Sequence, residues 1–228
     1  GLASVILIFG ARPLSLSWFS GWAGLGFSFL SLSGGVLLIG AVMVAAILKG
    51  IFPAGERRRA LDSGWILASF LLFVFTLWLT PTVTLDDPAR AESLGRLGTS
   101  FIKLLSWPIP GTWIPLRWAF LCAILLWGPW LLYVFAGLSM RSFRVKEGRY
   151  YWVLVAWGGW IWSIALAAAY SRGNLDNYGY NPRYADLFGL GVLLFVFVAI
   201  RLCSQHRAQG VSAVRYPLIC VSAALWVI

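Results

Sequence analysis

The densest chemistry in this chain lies between Tyr170 and Asp186. Two Arg, two Asp, three Asn and four Tyr share 17 positions there, between two fully apolar stretches. Arg172 and Arg183 supply guanidinium forks that suit a phosphate or carboxylate, and Tyr180 and Tyr184 supply flat hydroxylated rings that suit a sugar. Asp186 is a carboxylate beside them. Arg183 and Asp186, three apart, can equally pair with each other at a helix start while the tyrosines form an interfacial belt. A second carboxylate, Asp86, precedes Asp87-Pro88. That pair suits an N-cap followed by the first helical residue, so Asp87 reads as a cap and Asp86 as the free acid. Asp86 and Asp186 are thus the candidate proton acceptors, and Arg172, Arg183, Tyr180 and Tyr184 the candidate substrate-binding residues.

The elements that position these groups follow from composition. Of the 228 residues, 60% are apolar and 11% charged, against roughly 45–50% and 25% in soluble domains, which leaves too little polar surface to wet a globule. Charge-free runs long enough to cross a bilayer as helices lie near 30–51, 64–83, 114–138, 150–170 and 187–204. The end pieces 1–11 and 211–228 read as parts of two more. None alternates with period two, so the expected class is all-α, a polytopic transmembrane helix bundle of about five full spans in one membrane domain. Because the chain opens inside an apolar run and closes on Leu225-Trp226-Val227-Ile228, it reads as a piece of a longer polytopic protein.

The formal net charge of +10 would suggest nucleic acid if the cations formed a stripe with stacking aromatics. They fall between the apolar runs instead, which makes them topology signals and excludes nucleic acid as a partner. Eleven basic residues, among them Lys49, Arg57, Arg144, Arg149 and Arg201, fall on one side. Seven, Arg12, Arg90, Arg96, Lys103, Arg117, Arg172 and Arg183, fall on the other. The first side is then cytoplasmic, and its loops 52–63, 139–149 and 204–211 read as short basic tethers.

Three outer segments remain. Residues 12–33, rich in Ser, Gly and aromatics, fit an interfacial or re-entrant connection with Trp18 and Trp22 at headgroup level. In 86–107, Leu94, Leu97, Phe101, Leu104 and Leu105 recur at three- and four-residue spacing, which predicts an amphipathic helix lying on the outer membrane surface and stopped by Trp107-Pro108. The third is the 170–187 loop. Cys122, Cys203 and Cys220 stand far apart without a CxxC, and His206 is the single histidine. Neither a disulfide nor a zinc or histidine-ligated haem site follows, and the cofactor is left unknown. With no ionisable residue near mid-span, a pump or coupled transporter is disfavoured.

At Ser106-Trp107-Pro108, Trp157-Gly158-Gly159-Trp160, Ala169-Tyr170-Ser171-Arg172-Gly173 and Arg183-Tyr184-Ala185-Asp186-Leu187 the chain resembles bacterial polytopic inner-membrane proteins, largely uncharacterised, over about residues 100–200. These are similar in plan to membrane glycosyltransferases that use polyprenyl-phosphate sugars, and more loosely to O-antigen polymerases and ligases. The resemblance implies a multi-pass protein of the bacterial inner membrane, acting on a lipid-linked saccharide at its outer, periplasmic face. In such enzymes an acidic residue of the first outer loop serves as base or metal partner; it maps to no position here. The competing expectation is a non-catalytic scaffold or passive transport subunit, in which the same residues are caps and belts.

Overall fold

The computed structural model describes residues 2–11, 15–31, 35–52, 88–107, 115–174 and 182–208, with isolated helical positions between 67 and 78. Among the described residues every regular element is a helix. They are α1 (Leu2–Gly10), α2 (Leu16–Ser31), α3 (Gly35–Ile51), α4 (Leu94–Leu105), α5 (Leu116–Ser139), α6 (Arg141–Glu147), α7 (Arg149–Arg172) and α8 (Pro182–Ala208). They gather into two compact units, one of residues 1–85 with 136–164 and the other of 86–135 with 165–228.

Of the five expected spans, those at 114–138 and 150–170 are α5 and α7, both long and apolar enough to cross a membrane. The runs at 30–51 and 187–204 hold the shorter apolar stretches Val36–Ile51 and Gly189–Ser204. The 64–83 run is described only at isolated positions, and 211–228 lies outside the described residues. α5 is one-sided. Ala119, Ala123, Leu126, Trp127, Trp130 and Tyr133 are buried at three- and four-residue spacing, whereas Leu116, Phe120, Ile124, Leu131, Leu132 and Phe135 are exposed. α7 is apolar all round, and every residue from Tyr151 to Trp157 is buried. A helix apolar on all faces is a core helix, and one with an exposed apolar stripe lies at the rim.

In the first unit, the stretch 12–33 differs from the expected re-entrant connection, since most of it is the helix α2. Ser15 caps it, its Oγ accepting the Trp18 N–H at 3.3 Å. The small residues that gave the segment a loop-like composition serve packing. A Cβ on Gly21 would lie 2.9 Å from Ile8 Cγ1, and one on Gly24 2.6 Å from Ser4 Oγ, so α1 and α2 run antiparallel with their backbones close. The residues Leu30 and Ser31, expected to open the next span, are the last turn of α2. This hairpin also overturns a sidedness expectation. Lys49 Nζ lies 6.0 Å from the centroid of the Phe9 ring, and Gly10 abuts the Arg149 side chain. The chain therefore leaves α1, just before Arg12, at the end that carries Lys49 and Arg149, not at the opposite one. The extra helix α2 is the reason: it takes the chain back along α1 before α3 begins.

The 139–149 stretch is likewise more than a tether. A single extended residue, Met140 (φ −115°, ψ 110°), breaks α5, and α6 then runs to Gly148, whose φ of 55° ends it in the left-handed region that glycine tolerates. Phe143, Arg144 and Glu147 form the buried face of α6. The reason sequence reading gives a tether is that two of these three inward residues are charged.

Candidate functional site

In the second unit two of the segments expected on the outer side, 88–92 and 170–174, are joined through the backbone. The Ala91 N–H donates to Tyr170 O at 3.0 Å and the Asn174 N–H to Ala89 O at 3.1 Å. Asn174 Nδ2 donates to Pro88 O at 3.4 Å, while its Oδ1 accepts the Glu92 N–H at 3.5 Å. One asparagine side chain thus uses both ends of its amide to hold the 88–92 turn against the end of α7. Ser100 Oγ–H adds a bond to Gly173 O at 3.1 Å. Above this clasp the Arg90 guanidinium stacks on the Tyr170 ring, 4.3 Å from its centroid.

This pairing explains why the helix does not start at Asp87-Pro88 as expected. A helix there needs the Pro88 and Ala89 carbonyls for its own first turn. Both carbonyls are taken by Asn174, and the Ala91 N–H is taken by Tyr170. The chain makes a turn over 88–89, and α4 begins six residues after Pro88, at Leu94. Its N-cap is Ser93, extended at φ −143° and ψ 158°, with Oγ accepting the Arg96 N–H at 3.2 Å. The amphipathic pattern from Leu94 to Leu105 is otherwise realised: Leu104 and Leu105 are buried, although Leu94 at 85% exposure stands off the packed face. The far end of α4 is fixed to α5, where buried Trp127 Nε1–H donates to Leu105 O at 3.1 Å. Gly191 of α8 faces the same indole, with a Cβ there 3.2 Å from Trp127 Cζ2.

Of the expected site residues, Arg172 is the last residue of α7 and is exposed. It complements the negative end of the helix dipole and stands two residues from Tyr170 and Asn174. Arg183, Tyr184 and Asp186 fall within the first five residues of α8, their side chains outside what the structure describes. Asp86 and Tyr180 lie outside the described residues. The structure brings the segment that follows Asp86 onto the helix end that carries Arg172. Sequence reading misses Arg90, Tyr170 and Asn174 as the residues that do this, because Arg90 also fits the polar face of an amphipathic helix. Chemically, exposed Arg172 at this helix end offers a guanidinium donor set to an anion. Among the described residues no cluster of His, Cys, Asp or Glu could hold a metal.

The clasp depends on one glycine. A Cβ on buried Gly173 would lie 2.8 Å from Ala91 Cβ and 2.5 Å from Ala169 O. Gly173→Val is expected to part the 88–92 turn from α7 at a cost of about 1–3 kcal/mol, read as faster amide hydrogen exchange at Ala91 and Asn174 than in the parent chain. Exchange unchanged at both would show that the pairing does not constrain the 88–92 and 170–174 segments.

No family model, no curated protein and no solved structure matches this chain.

Proposed function

We propose that the chain is a multi-pass protein of the bacterial inner membrane that acts in envelope glycan assembly. It binds a polyprenyl-phosphate-linked saccharide at its outer face in a glycosyl-transfer-like reaction. Membrane insertion is supported by the exposed stripe Leu116, Phe120, Ile124, Leu131 and Phe135 of α5. An apolar strip of that length, free of charge beyond Arg117 in its first turn, suits lipid tails and would be an aggregation surface in water.

The observation that carries the substrate reading is the clasp. It pairs 88–92 with 170–174, stacks Arg90 on Tyr170 and so brings the segment of Arg90 onto the helix end that carries exposed Arg172. A phosphate site needs cations held on a fixed frame, and this pairing supplies one for the end of α7. In this reading Arg172 and Arg183 hold the phosphate, Tyr180 and Tyr184 stack on the sugar, and Asp86 or Asp186 accepts the proton of the attacking hydroxyl.

The test is binding of a polyprenyl phosphate to the purified chain in neutral detergent, for the parent, Arg172→Ala and Arg183→Ala. Each variant is expected to weaken binding about tenfold, the size of one lost hydrogen bond to a charged group. Asp86→Asn and Asp186→Asn are expected to leave binding intact. Binding indifferent to both Arg changes would make these residues structural and favour the scaffold reading.

A further inference from the structure

The basic end of the first unit carries a surface that the outer site does not use. α6 is held from beneath. Arg144 donates from Nη1 to the carbonyls of Gly137 and Leu138, the latter at 3.0 Å, and Phe143 packs edge-on to Tyr151 with centroids 6.4 Å apart. With Phe143, Arg144 and Glu147 facing inward, the helix turns Arg141, Ser142, Val145 and Lys146 outward. Gly148 ends it, and the exposed Arg149 and Tyr150 open α7 next to it.

Two independent features of this face point to the same partner. The first is charge: Arg141, Lys146 and Arg149 are all exposed, and the one acid of the stretch, Glu147, is buried at 4% exposure. The second is apolar. Met140 is 49%, Val145 56% and Tyr150 45% exposed, interleaved with the cations. Cations that alternate with aliphatic and aromatic groups on a short rigid helix are the pattern of an element seated at lipid headgroup level. Arg149 is also braced: its guanidinium lies 5.2 Å from the Tyr150 centroid and its Nη2 is 3.4 Å from Tyr150 Oη. That fixes a fork beside the ring and lowers the ordering entropy of binding a phosphate.

We infer that α6 and the first turn of α7 form a docking face for the phosphate headgroups of anionic phospholipids. Arg141, Lys146 and Arg149 contact phosphates, and Met140, Val145 and Tyr150 sit among the upper acyl carbons. This inference shares with the proposed function only the reading that the chain is embedded in a membrane.

The test uses the whole chain in nanodiscs of phosphatidylcholine with increasing phosphatidylglycerol, reading bound phosphatidylglycerol by native mass spectrometry. Each lost cation is expected to weaken phosphatidylglycerol retention about fivefold, and Arg141→Gln/Lys146→Gln/Arg149→Gln on the order of a hundredfold. The control Arg117→Gln, exposed in the second unit, should change nothing, and millimolar inorganic phosphate should not displace the lipid. Retention by the triple variant within twofold of the parent overturns the inference, as does full displacement by inorganic phosphate. Should the triple variant not fold, Lys146→Gln alone decides, and retention equal to the parent's overturns the inference in the same way. Polyprenyl-phosphate binding by the triple variant is expected to match the parent, so failure here and failure of the outer site are read separately.

Discussion

Gly137→Ala is expected to be among the most destabilising single changes in the chain, costing about 3 kcal/mol or more. Glycine 137 lies in the last turn of α5, where a Cβ would overlap the Tyr151 ring at Cε2, Cζ and Oη. The ring has nowhere to go. Tyr151 is fully buried and meets Trp152 edge-on at 4.8 Å, with Phe143 on another side at 6.4 Å, so relief would require moving α7 itself. Interiors packed at crystal density transmit such an overlap instead of absorbing it. Gly98→Ala in α4 is the control. Beyond its chain neighbours and its own helix backbone nothing lies within 4 Å of a Cβ there, no proline follows it, and alanine in a helix interior should gain up to about 1 kcal/mol. The check is the unfolding midpoint of the purified chain in neutral detergent: it should drop sharply for Gly137→Ala and hold or rise for Gly98→Ala. Combining Gly137→Ala with Tyr151→Ala should cost clearly less than the sum of the two, because the second change removes the atoms that the first collides with. Equal shifts for both glycines would mean that the ring has room after all.

What can be read in advance from the residues depends on how local the cause is. α5 and α7 are legible to within a few residues, since a long charge-free run between charged ends admits one reading. α4 is legible in its body, because the Leu and Phe spacing from 94 to 105 is a local signal. Its start is not. The competition between Asp87-Pro88 and Ser93 is decided by Asn174, 86 residues beyond Pro88, and a backbone pairing of that kind leaves no trace in side-chain type. α2 is misread for a different reason. Glycine and serine mark loops in water, but at Gly21 and Gly24 they mark the contact line of two close helices. The end at which the chain leaves α1 is then misassigned in turn, because missing one helix reverses the direction of the chain.

The site divides in the same way. The segments 86–107 and 170–187 stand out by composition, and Arg172 is found by type alone. That the two segments meet is a tertiary fact, and so is the stacking of Arg90 on Tyr170. Arg144 is the sharpest case. By type and position it belongs with the topology signals of a basic loop, yet it is 6% exposed.

Burying a cation is expensive unless its donors are satisfied, and here the partners are groups that themselves need satisfying. The last carbonyls of α5 have no intrahelical donors once Met140 leaves the helix. Nη1 of Arg144 supplies donors to two of them, those of Gly137 and Leu138, and the charge faces the negative end of the helix dipole, while the buried Nε makes no hydrogen bond. Its planar face approaches Phe52, 5.6 Å from the ring centroid, which ties the end of α3 to the same point. One side chain therefore joins α3, α5 and α6. Arg144→Ala is expected to cost roughly 3–5 kcal/mol, through the orphaned carbonyls and the lost packing together. Arg144→Lys keeps the charge but loses the planar face that approaches Phe52, so it should recover only part of that loss. The order of unfolding midpoints in neutral detergent, parent above Lys above Ala, is the check. If Lys equalled the parent, charge alone would hold this end together; if Ala equalled it, the buried guanidinium would contribute no net stability. Were Arg144 only a topology signal, replacing it would alter orientation in the membrane and leave the midpoint unmoved. The two roles are thus distinguished by stability, not by location.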